Sequence, residues 1–126
     1  MRLRYRAGMS NEQRLRDTYA GFNARDIDRV LDQLTPDVDW PNAWEGGRVS
    51  GHAAVREYWT RQWAEIDPHV EPVGFTTLPD GRVDVEVHQL VRAQDGTVLA
   101  DGTVHHTYAF RDGLVARMDV TEPGDR

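Results

Sequence analysis

The chain has 126 residues, 39% of them hydrophobic and 29% charged, with a formal net charge of -6 and no cysteine. These values describe one ordinary soluble globular domain, and the acidic balance disfavours non-specific binding to nucleic acid or to an anionic membrane surface. Without cysteine there are no disulfides, thiolate nucleophiles or Cys-based zinc sites, as suits a reducing cytoplasm, and no apolar run approaches the ~18 residues that span a bilayer.

Residues 1–8 hold three Arg, and no apolar stretch follows, so a secretory signal is not expected. Residues 1–9 read as a flexible extension ahead of a single domain over 10–121, with a polar tail at 122–126. Ser10 and Gln13 match a capping box, and Leu15, Tyr19 and Phe22 then recur at helical spacing, which predicts a helix over 11–24. Asp26 is a second N-cap. Ile27, Val30, Leu31 and Leu34 give a short helix an apolar stripe, with Thr35-Pro36-Asp37 expected to end it. Val38 to Trp40 is a brief extended piece, and 41–47 is a loop carrying Trp44. A third helix is predicted over 52–66, with Val55, Trp59, Trp63 and Ile66 on one side.

The period then changes to two. Residues 70–77 read as a strand with a bulge or edge position at Pro72 and Gly74. Val83, Val85 and Val87 alternate with Asp84, Glu86 and His88 in a strand over 82–92. Composition favours the Val face as the core and the acidic face as solvated. A long strand over 97–110 follows the Asp95-Gly96 turn, with Gly102 a possible bend point. Arg111-Asp112-Gly113 fits a three-residue hairpin loop, and 114–121 closes the sheet. Pairing Phe110 with Leu114 would set His106 opposite Met118 and His105 opposite Asp119. Three helices followed by four or five mostly antiparallel strands make an α+β design.

Asn23-Ala24 with Asp26 and Asp28, the Asp37-Val38-Asp39-Trp40 segment, Gly51 with Ala54-Val55 and Tyr58-Trp59, and Tyr108, Phe110, Asp112-Gly113-Leu114-Val115 occur in an order that resembles the nuclear transport factor 2-like superfamily, in its SnoaL-like branch. The resemblance covers about residues 10–121. It implies a cone: N-terminal helices packed on a strongly curved, mostly antiparallel sheet around a cavity, commonly dimeric through the sheet. The family holds ketosteroid isomerases, polyketide cyclases, scytalone dehydratases and epoxide hydrolases, together with non-catalytic binding modules. The isomerase residues are not retained: by motif register its Tyr falls on Thr18, beside Tyr19, its base Asp near Asn42, and its protonated Asp on His106.

The candidate site residues follow. If Phe110 packs inward, so do Tyr108 and His106, because alternate strand residues share a face. His106 is then a candidate acid or base, since an unperturbed imidazole titrates near neutrality; the alternative is a hydrogen-bonded sheet histidine. Asp39 is a candidate base if desolvated, and Asn42 a candidate partner for a ligand carbonyl. Tyr19, Phe22, Trp40, Trp44, Trp59, Trp63, His88 and Tyr108 are candidate ligand-binding residues, with Trp40 and Trp44 as flat walls. Trp59 and Trp63 at a spacing of four equally fit a core stripe, and His88 equally fits a solvated face. No metal-binding spacing, phosphate loop or nucleophile elbow occurs, so no metal or cofactor is expected. Three readings stay open: a cofactor-free acid–base enzyme acting on a small apolar or cyclic molecule, a binding module with the same pocket, and a dimeric scaffold.

Overall fold

Ser10 and Gln13 cap each other at the start of the first helix. The Gln13 amide N–H donates to Ser10 Oγ at 3.0 Å, and the Ser10 N–H donates to Gln13 Oε1 at 2.9 Å. In the computed structural model, which describes residues 10–121, this helix is α1 (Asn11–Asn23). The regions read as an N-terminal extension and a polar tail lie outside the described residues. A second helix, α2 (Ile27–Leu31), is capped by Asp26. The two helices pack closely at Gly21, where a Cβ would come within 2.9 Å of Val30 Cγ2.

The short helix ends earlier than the apolar stripe suggested. Leu34, Thr35 and Pro36 belong to the strand β1 (Leu34–Pro41), not to the helix. Pro36 is exposed there, where its missing N–H is tolerated. A short β2 (Arg48–Ser50) folds back on β1 and leads into α3 (His52–Glu65). Strand β3 (Ile66–Thr77) then begins directly, four residues before its expected start. Strands β4 (Val83–Ala93), β5 (Val98–Arg111) and β6 (Leu114–Thr121) complete the sheet.

The six strands lie in the order β2-β1-β6-β5-β4-β3. Only β1 and β6 run parallel; the other neighbours are antiparallel. The sheet is one strand larger than expected because β2 pairs with β1. Three bulges in the antiparallel ladders supply curvature. Val73 is the extra residue between Pro72 and Gly74 on the edge strand β3, as the Pro and Gly there predicted. Leu99 is extra on β5 opposite Val91 and Arg92, and Ala116 is extra on β6. Bulges bend a strand and raise its twist, so the sheet curls around α1 and α3. Gly102 is not one of these points; the ladder passes through it in register with Gln89.

The last hairpin also differs. Asp112 (φ 54°) and Gly113 (φ 80°) both occupy the left-handed region, and Arg111 pairs with Leu114. This is a two-residue loop, whose twist matches the flanking strands. With the Ala116 bulge it resets the register: His106 faces Val120, and His105 faces Thr121. The expected pairings of His106 with Met118 and His105 with Asp119 do not form.

The inner face of the sheet carries Val83, Val85, Val87, Val104, Tyr108, Val115 and Met118, all buried, against Leu15 and Tyr19 of α1 and Val55 and Trp59 of α3. Asp84, Glu86 and His88 lie on the outer face, the arrangement that composition favoured.

Candidate functional site

Between the helices and the concave sheet lies a cavity of about 270 Å³. Its apex is built where α1 meets β5. Helical spacing from Leu15 aims Tyr19 at the sheet, and strand alternation from Phe110 aims Tyr108 and His106 at the helix. The three polar tips meet. Tyr108 Oη donates to Tyr19 Oη at 2.8 Å, Tyr19 Oη lies 2.7 Å from His106 Nδ1, and Tyr108 Oη lies 3.4 Å from the same nitrogen. The Tyr19 and His106 rings stack at 5.8 Å, nearly parallel.

Counting hydrogens assigns the tautomer. If Nδ1 accepts, two hydroxyl hydrogens fill two contacts and every group is satisfied. If Nδ1 carried the proton, one of the three hydrogens would be left without an acceptor, which costs about 1–3 kcal/mol in a buried site. His106 therefore holds its proton on Nε2. That nitrogen has no partner among the described residues, and the ring lines the cavity. The cavity is offered an N–H donor.

Burial also decides the charge. Desolvation pulls the His106 pKa down from its ordinary 6.5 to about 4, although Asp84 on the outer face pulls the other way. Desolvation pushes the Tyr108 and Tyr19 hydroxyls above the usual phenol value. Each is thus uncharged at neutral pH. Among the described residues, those lining the cavity include no Asp, Glu, Lys or Arg. The expectation that His106 titrates near neutrality is corrected: burial outweighs every neighbouring charge.

The walls are aromatic. Trp40 and Trp59 meet edge to face at 5.4 Å, Phe22 meets Trp59 at 5.4 Å, and Trp40 tilts against Tyr108 at 6.3 Å. Trp44, 40% exposed, stands at the mouth, where its backbone N–H donates to Tyr58 Oη at 3.3 Å. Tyr19, Phe22, Trp40, Trp44, Trp59, His106 and Tyr108 are thus brought together around one space.

Four candidates are not. Asp39 turns to the outer side, where Arg48 Nε donates to it at 2.5 Å and Arg117 Nη1 at 2.6 Å. It sits in a lattice of opposite charges with Asp119 and is not a desolvated base. Asn42 is buried, but its amide is spent within its own loop: Nδ2 donates to Glu45 Oε1 at 2.9 Å, and Oδ1 accepts from the Glu45 N–H at 2.8 Å. Arg61, then Asn42, hold the Glu45 carboxyl down at about 2. Trp63 stands behind the wall, against Phe22 and Trp59 and under the Arg25 guanidinium. His88 is exposed on the outer face, 2.6 Å from Asp101 Oδ1.

Several lining residues escaped the sequence reading, Gln62 and Gln89 among the polar ones. Gln89 was findable, since it continues the inward alternation of Val83, Val85 and Val87. Among the described residues no group of three or more His, Cys, Asp or Glu is placed to hold a metal, and no helix is long and apolar enough to cross a membrane.

The comparisons agree with this fold. The model of the SnoaL-like domain family matches residues 15–118. TerC, solved after co-crystallisation with polyporic acid, is 30% identical, with 89% of this chain and 90% of that one covered and a TM-score of 0.78. A nuclear transport factor 2-like protein of unknown function from Burkholderia pseudomallei is 26% identical over 89% of each chain, also at 0.78. A candidate polyketide cyclase from Xanthomonas campestris pv. campestris is 25% identical over 88% and 91%, with a TM-score of 0.72. No curated protein matches.

The buried His106 predicts a pH effect. Its folded pKa lies below the unfolded one, so the unfolded chain binds the extra proton first as pH falls. Stability is full above about pH 6.5 and falls by about 3 kcal/mol on the way down to about pH 4. Urea unfolding at a series of pH values should show this slope, and His106→Gln should flatten it.

Proposed function

The chain belongs to the SnoaL-like domain family, and on that premise we propose that its cone is a binding chamber for a small, uncharged, ring-shaped molecule carrying a carbonyl or phenolic oxygen. The observation that carries this reading is the cavity itself: about 270 Å³ of mostly aromatic and aliphatic wall, no charged side chain among the described residues, and one hydrogen-bond donor at the apex. A volume of this order sits at the small end of ligand sites, which suits one to three rings. Flat Trp and Phe faces favour flat ligands. A charged ligand would leave water for a space with no counter-charge, which is expensive. TerC, co-crystallised with polyporic acid, supports a small organic molecule as the occupant sought.

The same donor favours a second, catalytic reading. A neutral imidazole N–H aimed at a carbonyl stabilises charge developing on oxygen, as cyclisation or isomerisation requires. Candidate polyketide cyclases among the structural neighbours support that class of chemistry. Among the described residues the cavity offers only a weak general base: the neutral His106 imidazole, with its pKa pulled down to about 4 and its Nδ1 engaged by Tyr19, is a poor proton acceptor, and both tyrosines hold their protons. An abstracted proton would have to leave to water or to the substrate. Binding is therefore the reading placed first.

Tetralone, a neutral cyclic ketone, is a direct probe. Its affinity by calorimetry should be level between about pH 6 and about pH 8, since no lining group titrates there. His106→Leu should weaken it about tenfold, the worth of one neutral hydrogen bond. Affinity that changes with a midpoint near the ordinary histidine value would sink this reading.

The family resemblance also implies a homodimer through the sheet, in a cytoplasmic setting that the cysteine-free sequence suits. The outer face that would form such a dimer is polar, with His105 paired to Asp84 at 2.9 Å and His88 to Asp101. An interface of this kind is screened by salt. Sedimentation at low salt should give twice the mass of the chain, loosening as salt rises; a monomer throughout would contradict the pairing.

A further inference from the structure

We infer that Gln89 reads a second polar group on the ligand, so that the cavity selects a neutral two-ring rod with an oxygen at each end. This rests on the binding reading above and adds the identity of the ligand's far end.

The inward row of β4 is Val83, Val85, Val87, Gln89 and Val91, four aliphatic residues and one amide. Gln89 is half-buried and lines the cavity, yet its side chain has no hydrogen-bond partner among the described residues. Its neighbours across the sheet offer none: Val70 on one side and Gly102 on the other. Gly102 also leaves room, since a Cβ there would meet nothing within 4 Å. Gly102 is exposed, so the amide stands at the open end of the cavity, in contact with water, rather than in a packed wall.

Its distance from the apex sets the length of the ligand. Val85 is the residue opposite His106, and Gln89 lies four residues further along the same strand and face. At the rise of a β-strand that is about 13 Å between backbones. His106 Nε2–H stands at one end of this line and the Gln89 amide at the other. A ligand of hydrocarbon alone that covered Gln89 would strip its water and return nothing, at about 1–3 kcal/mol. A ligand with a hydroxyl or carbonyl at that end replaces the water, and the amide can both donate and accept. The amide is thus a specificity-determining group rather than part of the apex.

The test compares 4,4′-dihydroxybiphenyl with 4-hydroxybiphenyl, both neutral near pH 7, against wild type, Gln89→Met and Gln89→Ala. Met keeps the length and removes the polar end; Ala serves if the Met variant does not fold. Wild type should prefer the dihydroxy compound about tenfold. Either variant should erase that preference, by weakening the dihydroxy compound while the monohydroxy one binds as well or better. Equal binding of both compounds by wild type, or a preference that survives both substitutions, overturns the role of Gln89 and leaves the binding chamber standing. Failure of wild type to bind either compound overturns the chamber reading and this inference with it.

Discussion

The fold and the site both depend on three hydrogen-bonding groups that must satisfy each other out of reach of bulk water. Tyr19, His106 and Tyr108 meet at the apex of the cone, bringing together positions 87 and 89 residues apart in the chain. Two hydroxyls and one imidazole nitrogen form a closed set only if the nitrogen accepts. That requirement ties α1 to β5, fixes the histidine tautomer, and turns Nε2–H toward the cavity. It also sets a condition on the sheet. A flat sheet could not bring β5 up to the helix while leaving space beside it; the bulges at Val73, Leu99 and Ala116 provide the curl.

Neutrality follows from the same burial. An imidazole enclosed by aromatic rings loses more by desolvation than Asp84, on the far face of the sheet, can return. The charges of this acidic chain are kept outside the cone, in pairs such as Arg48 and Arg117 with Asp39 and Asp119. Pairs of this exposed kind add little stability one by one. Their consequence for function is that Asp39, close in sequence to the wall residue Trp40, never enters the chamber. A cavity lined this way suits recognition of uncharged molecules and electrophilic help to a carbonyl, and it is poorly equipped to move protons by itself.

Much of this was legible in the residues. The capping box, the Leu15-Tyr19-Phe22 spacing and the alternating valines placed α1 and β4 and oriented both. Reading inward from Phe110 put His106 and Tyr108 in the cavity. What stayed hidden depended on long-range partners or on backbone detail. Asp39 looked like a free carboxylate because Arg117, 78 residues away, becomes its neighbour only in the folded sheet. Asn42 looked available because its use by Glu45 is a matter of loop geometry. The last register slipped for two reasons: Asp112 and Gly113 form a two-residue turn with positive φ at both positions, which an Asp-Gly pair favours over the three-residue loop expected, and Ala116 bulges, which no residue pattern there announces. The histidine pKa was out of reach, because it depends on how completely the ring is enclosed.

The most direct test of this account is the state of the His106 ring, read from its nitrogen chemical shifts by NMR as pH is lowered. The account predicts a neutral ring with the proton on Nε2 and a bare Nδ1 from about pH 8 to about pH 5, with protonation only near pH 4. An imidazolium appearing near the ordinary value of 6.5, or a proton on Nδ1, would contradict it: the apex would then be a titrating acid–base group, and the chamber would carry charge at neutral pH.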